Sequence, residues 1–246
     1  MKKTIHIGTS AFNNGYWKGI FYPDDLPRSK WFDYYCTQFD TYELNATFYR
    51  FPTVKSLKTW FDKTPKNFLF SVKAHKSITH FKRFNDCRTE VDEFYAVAKE
   101  GLAEKLACVL FQLPPSFDYS PEKLELILSY MNADFKNVIE FRHQSWWRFE
   151  VFDRLAKADV SFCNVSFPKL PGDFVKTESY GYIRLHGVPK LFYSQYTPEE
   201  MKTLYQEILK KDWKKVFVYF NNTASTAGIL NAVELKNLNK INHLIK

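Results

Sequence analysis

The chain has 246 residues, 45% of them hydrophobic and 18% aromatic, enough apolar material for a core, which excludes disorder as a description of the whole. No apolar run approaches the roughly 20 residues of a membrane span, and the start Met1-Lys2-Lys3-Thr4-Ile5-His6-Ile7-Gly8 reads as a first strand, not a signal peptide. The net charge of +8 comes mainly from dispersed lysines, the pattern of a solvated surface, although nucleic acid or an anionic substrate would feel the same field.

In chain order, short apolar runs rich in Val, Ile and Phe alternate with helical periodicities, the signature of βα units and a parallel sheet. The predicted strands are Ile5–Ser10, Thr41–Phe48, Phe68–Ala74, Ala107–Gln112, Val138–Arg142, Val160–Val165, Tyr180–His186 and Val216–Asn221. Between them, a helix starts at Pro121 behind the cap Ser120, and Thr197-Pro198-Glu199-Glu200 is a capping box. Periodicity also places helices over Ser29–Phe39, Val54–Asp62, Thr89–Lys105, Phe149–Lys157 and Thr226–Asn239. The link Ser166 to Ser179 carries Pro168, Pro171 and Gly172 and reads as a loop. With no linker, repeat or charge block to mark a boundary, the expectation is one TIM-barrel-like (β/α)8 domain spanning residues 1–246. An open doubly wound sheet is the alternative, but Gly8-Thr9-Ser10-Ala11-Phe12-Asn13 is not a dinucleotide fingerprint. Cys36, Cys87, Cys108 and Cys163 form no C-x-x-C pair, which fits a reduced, cytoplasmic protein.

Side chains alternate between the faces of a strand, so residue parity separates the barrel interior from the helix-packing face. Thr41, Glu43, Asn45 and Thr47 oppose Tyr42, Leu44, Ala46 and Phe48; Ser71, Lys73 and His75 oppose Phe70, Val72 and Ala74. Likewise Glu140 and Arg142 oppose Ile139 and Phe141, and Arg184 and His186 oppose Ile183 and Leu185. Gln112, Tyr219 and Asn221 add to the polar set. A carboxylate packed under helices is costly, so the polar faces are expected inside, near the carboxyl ends of the strands where barrel enzymes work.

Three cations against two carboxylates make an anion-preferring pocket. Glu140, Lys73, Glu43 and His186 are the catalytic candidates, with Glu140 as the general acid/base. Arg142, Arg184, Gln112, Asn45, His143, Tyr219, Asn221 and Trp146 are the substrate-binding candidates, the two arginines suiting bidentate contact with phosphate or carboxylate. The same charges could instead neutralise one another as a buried ion network. His75, His80, His143 and His186 follow strand ends, so a divalent metal held with Glu43 and Glu140 in a phosphodiesterase or nuclease is the alternative, although no H-x-H or H-E-x-x-H spacing supports it. No cofactor is expected for the leading reading. The partner expected is a small anionic substrate, with nucleic acid as the alternative and no membrane; a non-catalytic anion-binding barrel is a third class. Aromatics after strand one (Phe12, Tyr16, Trp17, Phe21, Tyr22) and strand five (Trp146, Trp147) either stack on a ligand or cap the core.

Taken together, Gly8-Thr9-Ser10, Tyr16-Trp17, Phe21-Tyr22-Pro23, Glu43-Leu44-Asn45-Ala46-Thr47-Phe48-Tyr49, Thr64-Pro65, Lys73-Ala74 and Ile78-Thr79-His80 are one half of a family pattern. Gln112-Leu113-Pro114-Pro115, Glu140-Phe141-Arg142-His143 with Ser145-Trp146, Arg184 with His186-Gly187, and Tyr219-Phe220-Asn221-Asn222 are the other half. In these motifs the chain resembles the domain of unknown function 72 (YecE-like) proteins over nearly its whole length. The resemblance implies a TIM-barrel-like fold and a pocket built from the motif residues; it supplies no reaction. Two positions depart from it: Ala11-Phe12 stand where glycine and tryptophan are expected, and Cys163-Asn164 where an aspartate is expected near the end of strand six.

Overall fold

The computed structural model describes residues 3–244, so Met1 and Lys2 of the predicted first strand lie outside the described residues. The strands are β1 (Thr4–Thr9), β2 (Thr41–Leu44), β3 (Leu69–Lys73), β4 (Leu106–Gln112), β5 (Asn137–Glu140), β6 (Ser161–Ser166), β7 (Tyr180–Leu185) and β8 (Lys215–Phe220). They form one sheet in the order β1-β8-β7-β6-β5-β4-β3-β2. β1 pairs parallel with β8, β8 with β7, and β3, β4, β5 and β6 follow one another in parallel. With helices between the strands, this is the TIM-barrel-like (β/α)8 fold.

The helices are α1 (Trp31–Gln38), α2 (Ala46–Tyr49), α3 (Val54–Asp62), α4 (Arg88–Leu102), α5 (Pro121–Ser129), α6 (Phe149–Lys157), α7 (Pro198–Lys210) and α8 (Ala227–Leu244). Their starts follow local chemistry. Ser120 accepts the Lys123 amide with Pro121 in the first turn of α5. At α7, Thr197 Oγ1 accepts the Glu200 amide at 3.2 Å and Glu200 Oε2 accepts the Thr197 amide at 2.7 Å, the reciprocal box read from the sequence. A second box, Thr53 with Ser56, opens α3.

Several boundaries differ from expectation: β3, β7 and β8 end one residue early, α4 ends at Leu102 short of the predicted Lys105, and three more differences bear on the candidate residues or on helix length. β2 stops at Leu44 because Asn45 turns into the right-handed helical region and α2 begins, so Thr47 and Phe48 lie on a helical turn where strand parity no longer applies. β5 ends at Glu140, leaving Arg142 and His143 in the connection that follows. α8 runs to Leu244, beyond the predicted end at Asn239. The link from β6 to β7 contains no helix, as its prolines suggested. No described helix is long and apolar enough to cross a membrane.

Contacts divide the chain into two compact units, one of residues 1–42 and 164–246, the other of residues 43–163, with the divisions inside β2 and β6. In the first unit, Tyr42 of β2 packs its ring against Phe32 and Tyr35 of α1, at 5.8 and 5.7 Å. The loop after β1 is absorbed into the same core. Tyr22 stacks on Trp31 at 4.6 Å, and buried Trp17 donates its indole N–H to the Ser225 carbonyl. In the second unit, Phe111 of β4 meets Phe84 and Tyr95, and Phe162 of β6 meets Phe152 of α6. In β2, Tyr42 stands between the polar Thr41 and Glu43, which lie on the opposite face of the strand.

Candidate functional site

In the unit of residues 43–163, the polar candidates sit at the carboxyl ends of their strands: Lys73 is the last residue of β3, Gln112 of β4 and Glu140 of β5. Gln112 and Glu140 are register neighbours and so share a face. Glu140 is completely buried. Its Oε1 accepts from Nε of Arg142, two residues further on, so the arginine's Nε edge is fixed by the carboxylate. Its Oε2 lies 3.9 Å from the Cys163 sulfur on β6, which makes the thiol a neighbour that composition alone did not mark.

Lys73 is 9% exposed and holds its Nζ 3.9 Å from the centre of the Phe48 ring, a cation–π contact. Parity had put Phe48 on the helix-packing face; the early end of β2 brings it to Lys73. The adjacent Thr47 hydroxyl donates to the Leu44 and Lys73 carbonyls at 2.8 and 2.6 Å, tying α2 to β3. Phe48 also meets the His80 ring edge-on at 4.8 Å.

His80 follows β3 in the π-helical turn Ser77–Phe81 and shares a hydrogen bond with Thr79. Burial, then the positive charges of Lys73, Arg142 and Arg83, push its pKa down to about 4, with Glu140 opposing. The imidazole is therefore neutral at pH 7, and the field around it is positive although a carboxylate is present.

Glu43 is buried and accepts from Asn45 Nδ2 at 3.1 Å, while Asn45 Oδ1 is buried without a hydrogen-bond partner. Gln112 donates to the Leu113 carbonyl. His75 and His143 have a different use. Each accepts on Nδ1 the amide of the serine two residues on, at 3.2 and 3.3 Å, and bonds that serine's hydroxyl, capping the short turn after β3 or β5. Burial, and then Lys76, lower the His75 pKa against the opposing Tyr49 backbone bond. Trp146 is a core residue: fully buried, stacked 4.0 Å from Phe141, its N–H given to the Phe117 carbonyl.

In the other unit, Arg184 of β7 is buried and donates from Nη2 to Asn221 Oδ1 at 2.7 Å, just past the end of β8. Tyr219, the register partner of Arg184, shares a 2.6 Å hydrogen bond with the Thr41 hydroxyl. His186 directly follows β7, its ring 5.5 Å from that of Phe167 and 6.2 Å from that of Phe192. Of the aromatics after β1, Trp17 and Tyr22 are buried and Tyr16 is exposed. Among the described residues, no three His, Cys, Asp or Glu side chains gather as a metal-ligand group.

Comparison with known proteins places the chain. The family described as protein of unknown function DUF72 matches residues 6–245. The chain belongs to the DUF72 family. A DUF72 protein of Thermotoga maritima superposes with a TM-score of 0.85 and 32% identity, over 96% of this chain and 99% of that one. A DUF72 protein of Enterococcus faecalis shares the fold at 19% identity and a TM-score of 0.82, over 96% and 95% of the two chains. The UPF0759 protein YunF of Bacillus subtilis is 28% identical over 95% of this chain and 94% of its own.

At the two positions where the resemblance led to other residues being expected, the side chains present have local contacts. Phe12 fills a slot against Phe32 and Tyr42, at 4.8 and 5.7 Å. Asn164 uses both ends of its amide on one residue of the following loop: Oδ1 accepts the Val175 N–H at 2.7 Å and Nδ2 donates to the Val175 carbonyl at 3.0 Å. An aspartate could make only the first of these bonds.

Proposed function

We propose that this DUF72 protein is an enzyme acting on a small phosphate- or carboxylate-bearing substrate by general acid–base chemistry in the unit of residues 43–163. The supporting observation is the grouping of Lys73, Arg142 and Glu140 near His80, whose pKa is lowered first by burial and then by the cations, with Glu140 opposing. Arg142, oriented by Glu140 on its Nε edge, supplies planar recognition of the anion, and Lys73 supplies a point charge. Glu140 lies buried beside the arginine that would take the substrate. An anion that draws Arg142 toward itself therefore exposes the carboxylate that exchanges the proton. In the other unit, Arg184, which donates to Asn221, is a second anion-binding candidate.

The reading needs no metal ion. The Nδ1 atoms of His75 and His143 are used as caps, Glu140 is bound to Arg142, and the field at His80 repels cations. The test is inorganic phosphate titrated into the protein while the His80 ring is followed by NMR. A bound anion cancels positive charge and raises the His80 midpoint; Arg142→Lys weakens that response. Glu140→Gln keeps phosphate binding and abolishes turnover in a screen of phosphate and carboxylate esters. A His80 midpoint indifferent to millimolar phosphate would sink the proposal.

A further inference from the structure

A groove of about 720 Å³ lies in the unit of residues 1–42 and 164–246, between the loop after β6 and helix α7. It occupies the place where the repeating strand–helix scheme has no helix, because β6 passes to β7 through a loop. Its floor is apolar: Phe167, Leu170 and Phe174 from the loop, Leu185 from the end of β7, and Met201 and Leu204 from α7. Asn164 ties the loop's far side to β6 by two hydrogen bonds to Val175.

Exposed apolar side chains also follow in the connection after β7. Val188 lines it and is 39% exposed, and Phe192 and Tyr193 in the same connection are 44% and 51% exposed. Clusters of exposed large apolar side chains mark places that another molecule covers. The charges beside this surface are of one sign. Asp173, Glu199, Glu200 and Glu207 line the groove against the single cation Lys169, in a chain whose net charge is +8. On α7, Glu200, Thr203, Leu204 and Glu207 follow the i, i+3, i+4, i+7 spacing of one helix face. The two glutamates therefore stand about 10 Å apart along the axis, one at each end of the apolar patch.

We propose that this groove receives an amphipathic helix of a partner protein, apolar along one stripe and flanked by lysine or arginine. The size agrees. A helix about 10 Å across rising about 1.5 Å per residue fills about 120 Å³ per residue, so the groove holds about two turns. The charge pattern agrees as well: Glu200 and Glu207 repeat the seven-residue spacing that keeps charged side chains along one flank of the apolar seam between paired helices. This inference is independent of the anion site, since it uses none of Lys73, His80, Glu140 or Arg142.

The experiment titrates two synthetic amphipathic peptides of about 18 residues, long enough to hold a helix, into the isotope-labelled full chain. One has a Leu/Lys pattern and the other a Leu/Glu pattern. The Leu/Lys peptide is expected to move the amide resonances of residues 167–174 and 199–207 and to bind at least tenfold more tightly than the Leu/Glu peptide. Glu199→Gln combined with Glu207→Gln, which preserves shape and leaves the Glu200 cap intact, weakens Leu/Lys binding by roughly three- to tenfold, the scale of two partly screened charge pairs. Thr203→Arg, a change at an exposed position, blocks it, with the unfolding midpoint showing that the fold is kept. Equal affinity for both peptides, or shifts confined to another surface, overturns the proposal. So does concentration-dependent self-association of the chain that Thr203→Arg abolishes, because the occupant is then a second copy.

Discussion

The titration of His80 is the most exacting test of the electrostatics. Burial and the charges of Lys73, Arg142 and Arg83 bring its pKa to about 4, against about 6.5 in an unfolded chain. Between those values the unfolded chain carries a proton at this position and the folded chain does not. Stability therefore rises with pH across the window, and the contribution is lost as pH falls from about 6.5 to about 4. The full difference corresponds to about 3 kcal/mol; since the ring is only half-buried and Arg83 is solvent-screened, about 2 kcal/mol is the better expectation. Urea unfolding of the wild type and His80→Gln at pH 7 and pH 4.5 measures it, the variant subtracting the carboxylates that titrate in the same range. The wild type should lose more stability than the variant by roughly that amount, and NMR should place the His80 midpoint near 4. Lys73→Met should move the midpoint upward by removing the largest single positive charge acting on the ring. A midpoint near 6.5, or no difference between wild type and His80→Gln, would refute the positive field on which the anion reading stands.

Two structural predictions accompany it. Asn164→Asp removes the donor to the Val175 carbonyl and sets a carboxylate against that oxygen; we expect a loss of about 1–3 kcal/mol in unfolding free energy and faster amide exchange over residues 167–175, while unchanged exchange would show that the clamp does not hold the loop. Gly181→Ala puts a methyl group 2.7 Å from the Trp213 ring, a clash within a packed strand that should cost about 1–3 kcal/mol, read in a denaturant titration; a neutral result would show that Trp213 moves away freely.

The architecture was legible because it rests on local rules. All eight strands were readable as β-branched and aromatic runs, and the starts of α5 and α7 were set by Ser120-Pro121 and by the Thr197–Glu200 box, which act within four residues. Strand parity anticipated that Tyr42 packs on α1 while Thr41 does not, since Thr41 bonds Tyr219 on β8. Parity failed where the strand itself ended, at Asn45, and with it the assignment of Phe48.

The candidate residues divide along a similar line. That Lys73, Gln112, Glu140 and Arg184 come late in their strands is a property of the sequence, because position along a strand needs no partner to define it. What each polar group does was decided by contacts between elements distant in the chain. Glu140 faces Cys163, twenty-three residues away, and Lys73 meets Phe48, twenty-five residues before it. Trp146 went to the core because Phe141 and the Phe117 carbonyl were there to receive its ring and its N–H. His75 and His143, read as pocket or ligand residues, became caps because a serine two positions on offers an amide and a hydroxyl to Nδ1. Hydrophobic period and capping chemistry are written along the chain and fix which segments become strands and helices. The charge balance around His80, and the groove left where a helix is missing, depend on distances that exist only after those segments have packed.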